Sequence, residues 1–469
     1  MSVSDLLQSV QLTGGADARA PVPLWTETWP YGSVPVTSFE GDSCPRLESD
    51  SGSDARQAGD TIDSMKKIEV LVRASERHDA KQIESMKADL LKRIAAASGK
   101  IELQEVKRPS GDRLAAVLVL TGGVEREVLK LVAQLPPPAL LIAHSAHNSL
   151  PASLEVLART HQDGAEGRIL FGEPEEIAAG LEQELAIADT WETLRFSRVG
   201  LIGEPSEWLV ASDVDRAFLK GRLSVELIPI EMRELLKQVE GASAPRKEIS
   251  RFKRGAHDVD ERAAEDIPHA VAIYQGLRNL IDTHKLSACS VRCFDLLAEL
   301  DQTSCYALSR LNDEHVPAGC EGDLQSLFSL YVAYLLSGNA AFMGNVTSID
   351  TLDPSLTMAH CTCPLSMTTQ YGIATHFESD LSVGIAGTMP AGPCTVFRLG
   401  GERLDRLFVR EGMTEETVAR DDLCRTQIRI SVDGELDELL EAPLGNHHIL
   451  LEGHHRWIIE TFFERYLKS

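Results

Sequence analysis

A carboxylate on a glycine-flanked turn, followed 39 residues later by a histidine, is the part of this sequence best suited to chemistry. Glu321 lies in Gly-Cys-Glu-Gly-Asp at 319–323, and His360 lies in Ala-His-Cys-Thr-Cys-Pro. Gly322 permits a tight turn, and the apolar run 324–336 predicts a helix whose positive end faces the acids. Such a carboxylate and imidazole could hold one divalent cation. Helix-capping acids and a core histidine are the alternative that the spacing allows.

Two strands that meet in a hairpin are predicted to carry the histidine. Residues 341–349 and 355–361 are predicted to form two strands that are joined by a turn segment, Thr-Leu-Asp-Pro. A turn centred after Leu352 sets Asn345 opposite His360, with Cβ atoms roughly 5 Å apart. The nearest acid lies five residues along the strand, roughly 16 Å away. The predicted geometry therefore selects Asn345 as the oxygen donor beside the imidazole.

These residues are part of a longer series of segments. The series is NSLPA at 148–152, LIGEPSEW at 201–208, CFDLL at 293–297, GCEGD at 319–323, FMGN at 342–345, AHCT at 359–362, HFES at 376–379, TVFR at 395–398 and GNHH at 445–448. The series resembles the L-fucose isomerase-like family, which is related more distantly to L-arabinose isomerase. The likeness extends from about Lys66 to the C-terminus.

The resemblance implies aldose–ketose isomerisation through a cis-enediol, assisted by a divalent ion that is usually Mn²⁺. In the family, two carboxylates and a histidine hold the ion, and the carboxylates move the proton between C1 and C2. Carried onto this chain, Glu321 is the first carboxylate and His360 or His447 supplies imidazole. Asn345 stands where the second acid is expected. Alternation points the rings of His447 and His448 to opposite faces of a strand, and the resemblance selects His447; a solvated pair of histidines is the other interpretation.

The predicted metal ligands are thus Glu321, Asn345, His360 and His447, and the predicted catalytic positions are Glu321 and Asn345. An asparagine carbonyl can bind a hard cation, but the amide cannot accept and return a proton at neutral pH. Either Glu321 works with water or a nearby acid, or the chemistry has changed. The alternative function is therefore a sugar- or metal-binding protein without isomerase turnover.

Five further residues are predicted to contact the sugar. Alternation places His376 and Glu378 on one face of a strand, where they could bind hydroxyl groups or form a buried structural pair. His144 and Asn148 follow a predicted strand end, where ligands gather in parallel α/β sheets; helix capping is the other interpretation. Trp208 could stack on a sugar ring or pack in the core.

Composition restricts the class of protein. The chain has 469 residues, which predicts two or three domains, and a formal net charge of −25, which argues against nucleic acid and anionic membrane surfaces as partners. An odd number of cysteines (nine) without a secretory signal predicts reduced thiols and a cytoplasmic protein.

The spacing of Cys361 and Cys363 is too short for a zinc knuckle, so these thiols are predicted to be buried small residues. No apolar run reaches the length of a membrane span.

The order of elements predicts an α/β fold: two Rossmann-like parallel-sheet α/β domains followed by a C-terminal β-rich, barrel-like domain. A strand is expected at 209–212 and a loop at 246–262. The predicted divisions are a flexible extension at 1–64, an N-terminal α/β domain at 66–175, a second α/β domain with the metal-site helix and hairpin at 176–365, and a β-rich domain at 366–469.

The resemblance also implies a homo-oligomer, a trimer or hexamer, whose pockets borrow residues from the N-terminal domain of an adjacent subunit. His144, His147 and Asn148 are the residues of this chain that could cross such an interface. The predicted partners are therefore a small-molecule sugar and further copies of the chain.

Overall fold

A computed structural model describes residues 65–111, 113–415 and 417–468. The predicted flexible extension at 1–64 lies outside the described residues. Among the described residues, the elements follow the expected order of two parallel sheets and then a barrel. No helix in this part of the chain is both long enough and apolar enough to cross a bilayer.

The first parallel sheet has five strands. Its strands are β1 (Lys66–Arg73), β2 (Ile101–Glu105), β3 (Ala115–Val119), β4 (Ala139–Ala143) and β5 (Gly167–Phe171), in the order β2-β1-β3-β4-β5. Its helices are α1 (Ala80–Ser98), α2 (Glu125–Val132), α3 (Ser149–Gln162) and α4 (Pro174–Leu194). Strands β3 and β4 are buried along their whole length. This burial explains their continuous apolar sequence, because helices cover both faces of the sheet.

The second parallel sheet has the order β10-β9-β6-β7. Its strands are β6 (Arg198–Ile202), β7 (Glu226–Ile230), β9 (Ala288–Val291) and β10 (Ala318–Cys320). The short strand β8 (Asp258–Val259) lies outside this sheet. The helices are α5 (Arg216–Gly221), α6 (Met232–Glu240), α7 (Arg246–Gly255), α8 (Glu261–His284), α9 (Cys293–Leu300), α10 (Cys305–Asp313) and α11 (Leu324–Ser337).

A closed six-stranded antiparallel barrel follows, in the order β11-β12-β17-β16-β15-β18. Its strands are β11 (Phe342–Asp350), β12 (Ser355–His360), β15 (Gly392–Gly400), β16 (Arg406–Thr414), β17 (Thr426–Val432) and β18 (His447–Glu452). A separate small sheet joins β8 to β13 (Gln370–Ala374) and β14 (Gly384–Thr388), and the last helices are α12 (Asp437–Glu441) and α13 (Arg456–Phe462). The predicted fold class is confirmed.

The metal-site hairpin lies in this barrel. The sequence assigns the hairpin to the second α/β domain, whereas the structure pairs β11 with β18 and β12 with β17. Helix α11 packs against β15 and β18 and so joins the second sheet to the barrel. The domain boundaries themselves stay a prediction.

Two local predictions are wrong. Residues 209–212 contain a turn at 210–211 and no strand, and the predicted loop at 246–262 contains helix α7. Helix α7 is mostly charged, but its Phe252 side chain is buried. The centroid of the Phe252 ring lies 4.2 Å from that of Tyr306 and 5.7 Å from that of Tyr371. Aromatic packing of this kind stabilises a helix that is too short to be stable by itself.

The predicted pairing of the hairpin is wrong by one residue. The ladder between β11 and β12 changes register between Val346 and Ser348, which is a β-bulge or irregularity. Asn345 consequently pairs with Ala359 rather than with His360. A bulge places one extra residue in one strand, so counting outward from the turn gives the wrong partner.

Candidate metal centre

A strained turn presents Glu321 at the end of strand β10. Glu321 and Gly322 both have positive φ, +63° and +73°. A Cβ added to Gly322 would lie 2.8 Å from the carbonyl oxygen of Glu204, so glycine is required at this close approach. The backbone N–H of Ser206 donates to the carbonyl of Glu321 at 2.9 Å. Helix α11 then begins, with Asp323 as its N-cap. The turn therefore fixes the direction of the Glu321 side chain.

Three buried side chains converge at this point. The donor atoms of Glu321, His360 and His447 all lie within 4.8 Å of one another. Oε1 of Glu321 is 3.5 Å from Nε2 of His447 and 3.9 Å from Nε2 of His360. The strands β12 and β18 bring the two imidazoles from positions 87 residues apart to one carboxylate. One carboxylate and two imidazoles form a donor set that could bind a divalent metal ion.

The hydrogen bonding of His447 supports this interpretation. Its Nδ1 lies 3.0 Å from Oδ2 of Asp323, whereas its buried Nε2 has no hydrogen-bond partner among the described residues. A histidine that gives its other ring N–H to a carboxylate, and directs a free nitrogen at a shared point, is the usual arrangement of a metal ligand. Asp323 therefore holds His447 in the orientation and tautomer that a metal ion requires.

Arg398 compensates the buried charge of Asp323. Its side chain is fully buried, and one guanidinium nitrogen lies 3.5 Å from Oδ2 of Asp323. The same nitrogen donates to Ser326 Oγ at 2.7 Å and to the carbonyl of His447. The other terminal nitrogen donates to Ser212 Oγ at 3.0 Å and Gln325 Oε1 at 3.2 Å. Arg398 thereby ties the barrel to α11 and to the loop before α5.

The charges of the cluster act strongly on one another. Burial raises the pKa of Glu321, but the close approach and charge of His447, the charge of His360 and the hydrogen bond from the Trp208 indole outweigh burial and lower this pKa to about 2. Burial lowers the pKa of His447, but both neighbouring carboxylates outweigh burial and raise this pKa to about 9. Burial and the charge of His447 lower the pKa of His360 to about 3. The free protein thus holds a proton on His447 where a cation would bind.

An aromatic wall extends from the cluster. The indole N–H of Trp208 donates to Oε2 of Glu321 at 2.6 Å, which leaves Oε1 directed at the imidazoles. The Trp208 ring meets Phe294 edge-on, with centroids 4.9 Å apart, and Phe294 meets His376 at 5.8 Å. The Trp208 side chain stays half exposed. These three rings, named here the aromatic wall, form a surface of the kind that sugar rings stack on.

The structure brings some predicted sugar contacts together and leaves others elsewhere. His376 and Glu378 lie at a turn between β13 and β14, not on a strand, so alternation does not place them. Glu378 is exposed, and partial desolvation and then the charge of Glu321 raise its pKa. His144 lies with its Nε2 3.0 Å from the carbonyl of Leu120 in the first sheet, and Asn148 precedes α3 with a φ of +57°. The roles of these residues in sugar binding stay predictions.

The histidine that lies opposite Asn345 in the sheet is His447, not the predicted His360. Asn345 pairs directly with His447 across β11 and β18, and directly opposed residues share a face of the sheet. Its Oδ1 accepts a hydrogen bond from the side-chain amide of Asn446 at 2.9 Å. The amide therefore lies on the face of His447, and its role as a ligand stays a prediction.

Sequence reasoning missed Asp323 and Arg398 as parts of the centre. Asp323 was visible in Gly-Cys-Glu-Gly-Asp, but its position before a helix explains it equally well as a cap. Arg398 interrupts an apolar strand between Phe397 and Leu399. A charged residue at a core position of a strand needs a buried partner, and this signal could have identified it.

The cysteines have no disulfide partner in the described part of the chain. Cys361 and Cys363 are free and buried, as predicted for small core residues. Cys293 and Cys320 approach each other at 3.0 Å between sulfur atoms and remain thiols.

Two parallel-sheet α/β layers, an antiparallel barrel and a buried Glu/His/His centre define a class of protein consistent with the resemblance found in the sequence. No family model matches the chain. The chain is 23% identical over 297 residues to the sulfoquinovose isomerase of Alkalicoccus urumqiensis, which covers 60% of this chain and 66% of that enzyme. It is 24% identical over 243 residues to the sulfoquinovose isomerase of Clostridium sp. (strain MSTE9), covering 49% and 54%.

A third relative, the sulfoquinovose isomerase of Priestia megaterium, is 23% identical over 304 residues, which covers 61% of this chain and 66% of the relative. The matches thus span between 54% and 66% of the relatives' length. The chain is a homologue of the sulfoquinovose isomerases, which belong to the L-fucose isomerase-like family, and the predicted resemblance is confirmed.

Proposed function

We propose that the protein is a metal-dependent aldose–ketose isomerase and that a sulfoquinovose-like sugar is the first substrate to test. The observation that carries the proposal is the buried Nε2 of His447, which has no partner among the described residues, faces Glu321 and is oriented through Nδ1 by Asp323. The names of the homologues support the reaction class.

The residues have separate tasks. Glu321, His360 and His447 would hold the ion, and Mn²⁺ fits a mixed oxygen and nitrogen donor set. A bound ion supplies Lewis acidity that polarises the sugar carbonyl and acidifies the neighbouring C–H. Trp208 fixes one oxygen of Glu321 through its indole N–H and, with Phe294, provides an apolar face for the sugar ring.

Proton transfer needs a group whose pKa lies near the working pH. Glu321 can act as a proton acceptor, but its pKa of about 2 makes it a weak base. Glu378 is better matched, because partial desolvation of this otherwise exposed side chain and the charge of Glu321 raise its pKa. We assign to Glu378 the proton transfer that Asn345 cannot perform, with Glu321 as ligand and auxiliary base.

Glu378→Gln is expected to lower kcat by about 10²-fold or more, since general acid–base catalysis contributes this much, while Mn²⁺ affinity changes less than threefold. Steady-state kinetics and metal titration measure the two effects. Glu415→Gln, a change at a partly exposed barrel carboxylate, is the matched control. An unchanged kcat in Glu378→Gln would return the proton transfer to Glu321.

The second candidate function is sugar or metal binding without turnover, and the amide at Asn345 is the observation that favours it. We expect the native protein to turn over at least one aldose and Asn345→Asp to bind Mn²⁺ about tenfold more tightly, because it adds a carboxylate beside His447. Asn339→Asp, at the exposed end of α11, is the control. Activity that appears only in Asn345→Asp would establish the binding function instead.

A screen of aldoses and ketoses with added Mn²⁺ tests the proposed function directly. The panel should include sulfoquinovose and neutral hexoses, because together they test reaction and substrate class. Isomerisation of no sugar at any Mn²⁺ concentration would contradict the proposal. The predicted homo-oligomer and the cytoplasmic location remain part of the proposal, and light scattering of the active protein tests the first.

A further inference from the structure

A cationic side chain lies at the edge of the candidate site. Arg425 immediately precedes Thr426, which pairs with His360 across β12 and β17. Its Nε donates to the carbonyl oxygen of Thr375 at 2.7 Å, and its Nη2 donates to Thr375 Oγ1 at 3.2 Å. The guanidinium lies 5.7 Å from the ring centroid of Phe377. These contacts hold Arg425 against the turn that carries His376.

Arg425 has no direct ion-pair partner among the described residues, and its charge acts on Asp380 only from a longer distance, where it lowers the pKa of that carboxyl group. Within the described residues, no carboxylate lies within 4.0 Å of its guanidinium, and its Nη1 donates no hydrogen bond. The carboxylate that approaches Thr375, Asp380, is bound by Arg262 through both of its oxygens. A partly buried guanidinium with donors to spare is unusual in a chain with a formal net charge of −25.

Arg425 stands at one end of the aromatic wall and Glu321 at the other. Arg425 and His376 pack closely on either side of Gly384. A Cβ added to Gly384 would lie 3.4 Å from both Arg425 Cγ and His376 Cα. His376 in turn packs on Phe294, and Phe294 packs on Trp208. Burial and then the charge of Arg425 lower the pKa of His376, and the charge of Glu321 acts in the opposite direction. A sugar on the wall would therefore have the metal centre at one end and a free cation at the other.

We propose that Arg425 binds a tetrahedral oxyanion, a sulfonate or a phosphate, carried by the sugar at the end remote from its carbonyl group. The guanidinium suits this task because its planar donors match the geometry of such anions and it is weakly hydrated. The inference rests on the proposed function and adds the residue that would recognise the acidic group: Arg425 makes the protein prefer acidic sugars to neutral ones.

Arg425→Gln tests the inference in the full chain. We expect this variant to raise KM for a 6-sulfonated hexose about tenfold or more, which corresponds to the loss of one charge-assisted hydrogen bond. We expect kcat and Mn²⁺ affinity to change less than twofold and KM for the corresponding neutral hexose to stay the same. KM for the 6-phosphorylated hexose is measured in parallel. The sugar with the lower KM on the native protein identifies which anion, sulfonate or phosphate, Arg425 binds.

Arg403→Gln is the matched control, because Arg403 also lies over a phenylalanine ring, 5.6 Å from the centroid of Phe218, but on the exposed surface. It should behave as the native protein does. Arg425→Lys keeps the charge and should retain part of the preference, which guards against a folding defect in the glutamine variant. Equal KM values of native protein and Arg425→Gln for both acidic sugars would overturn the inference.

Failure of the proposed function gives a different result. If no sugar is isomerised, calorimetric titration of the 6-sulfonated hexose still decides the role of Arg425. Binding to the native protein that Arg425→Gln weakens about tenfold would support the anion site. Equal binding to both proteins, or binding to neither, would overturn it.

Discussion

Glu321→Gln is expected to weaken Mn²⁺ binding by about 100-fold or more and to abolish the metal-dependent activity. The substitution keeps the shape of the side chain but removes the single formal negative charge that faces both imidazoles. Loss of a mere supporting residue around a metal costs about 10–100-fold in affinity, so loss of a charged ligand should cost at least the upper end of this range. Calorimetric titration of the metal-free protein with Mn²⁺ measures the change.

Two further variants make this experiment specific. His360→Ala removes the second imidazole of the centre and should weaken Mn²⁺ binding in the same direction. His454→Ala removes a half-exposed imidazole next to Glu411 and should leave the titration unchanged. Native-like Mn²⁺ binding by both Glu321→Gln and His360→Ala would show that the ion binds elsewhere.

Arg398→Met is expected to destabilise the protein by about 3–5 kcal/mol, the cost of leaving a buried charge without its partner. Arg398 is fully buried. Its loss leaves the buried carboxylate of Asp323 without its guanidinium partner, and it removes the hydrogen-bond donor to the hydroxyl groups of Ser212 and Ser326. Methionine fills similar space without a charge. The shift of the first transition in urea-induced unfolding measures the change.

The control lies in the same barrel. Arg429→Met breaks a partly exposed ion pair with Glu415, and exposed pairs contribute about 1 kcal/mol or less. Adding Asp323→Asn to Arg398→Met should recover part of the loss, because it removes the unpaired carboxylate. An Arg398→Met protein as stable as the Arg429→Met protein would contradict the structural role of Arg398.

The two expected effects are physically connected. Arg398 neutralises Asp323, Asp323 orients His447, and His447 faces Glu321. The centre is thus supported by a buried network that crosses from the barrel to α11, and such networks act as units rather than as separate pairs. We therefore expect Arg398→Met to weaken Mn²⁺ binding as well as stability, in the direction of the Glu321→Gln effect.

Much of the architecture follows from local patterns. Continuous apolar strands between amphipathic helices predicted the parallel sheets, and short strands between Gly and Pro turns predicted the barrel. Glycine after Glu321 predicted the turn that presents this side chain, and the family resemblance added His447, which joins Glu321 and His360 in the observed centre. These features depend on residues close together in the chain or on whole segments.

The features that failed depend on distant contacts. The irregularity between Val346 and Ser348 moves Asn345 away from His360, and helix α7 forms because Phe252 finds two tyrosine rings far along the chain. The local sequence pattern predicts neither the change of register in the hairpin nor the distant side chains that bury Phe252.

The sequence by itself determined most of the helices and strands and which residue types could bind a cation, because turn chemistry and hydrophobic periodicity are local properties. Only the tertiary structure decided that Asp323 supports His447, that Arg398 lies fully buried between them, and that Arg425 has no carboxylate partner among the described residues. The reason is that the burial and pairing of a charge are set by side chains from several elements at once, so they exist only after the chain has packed.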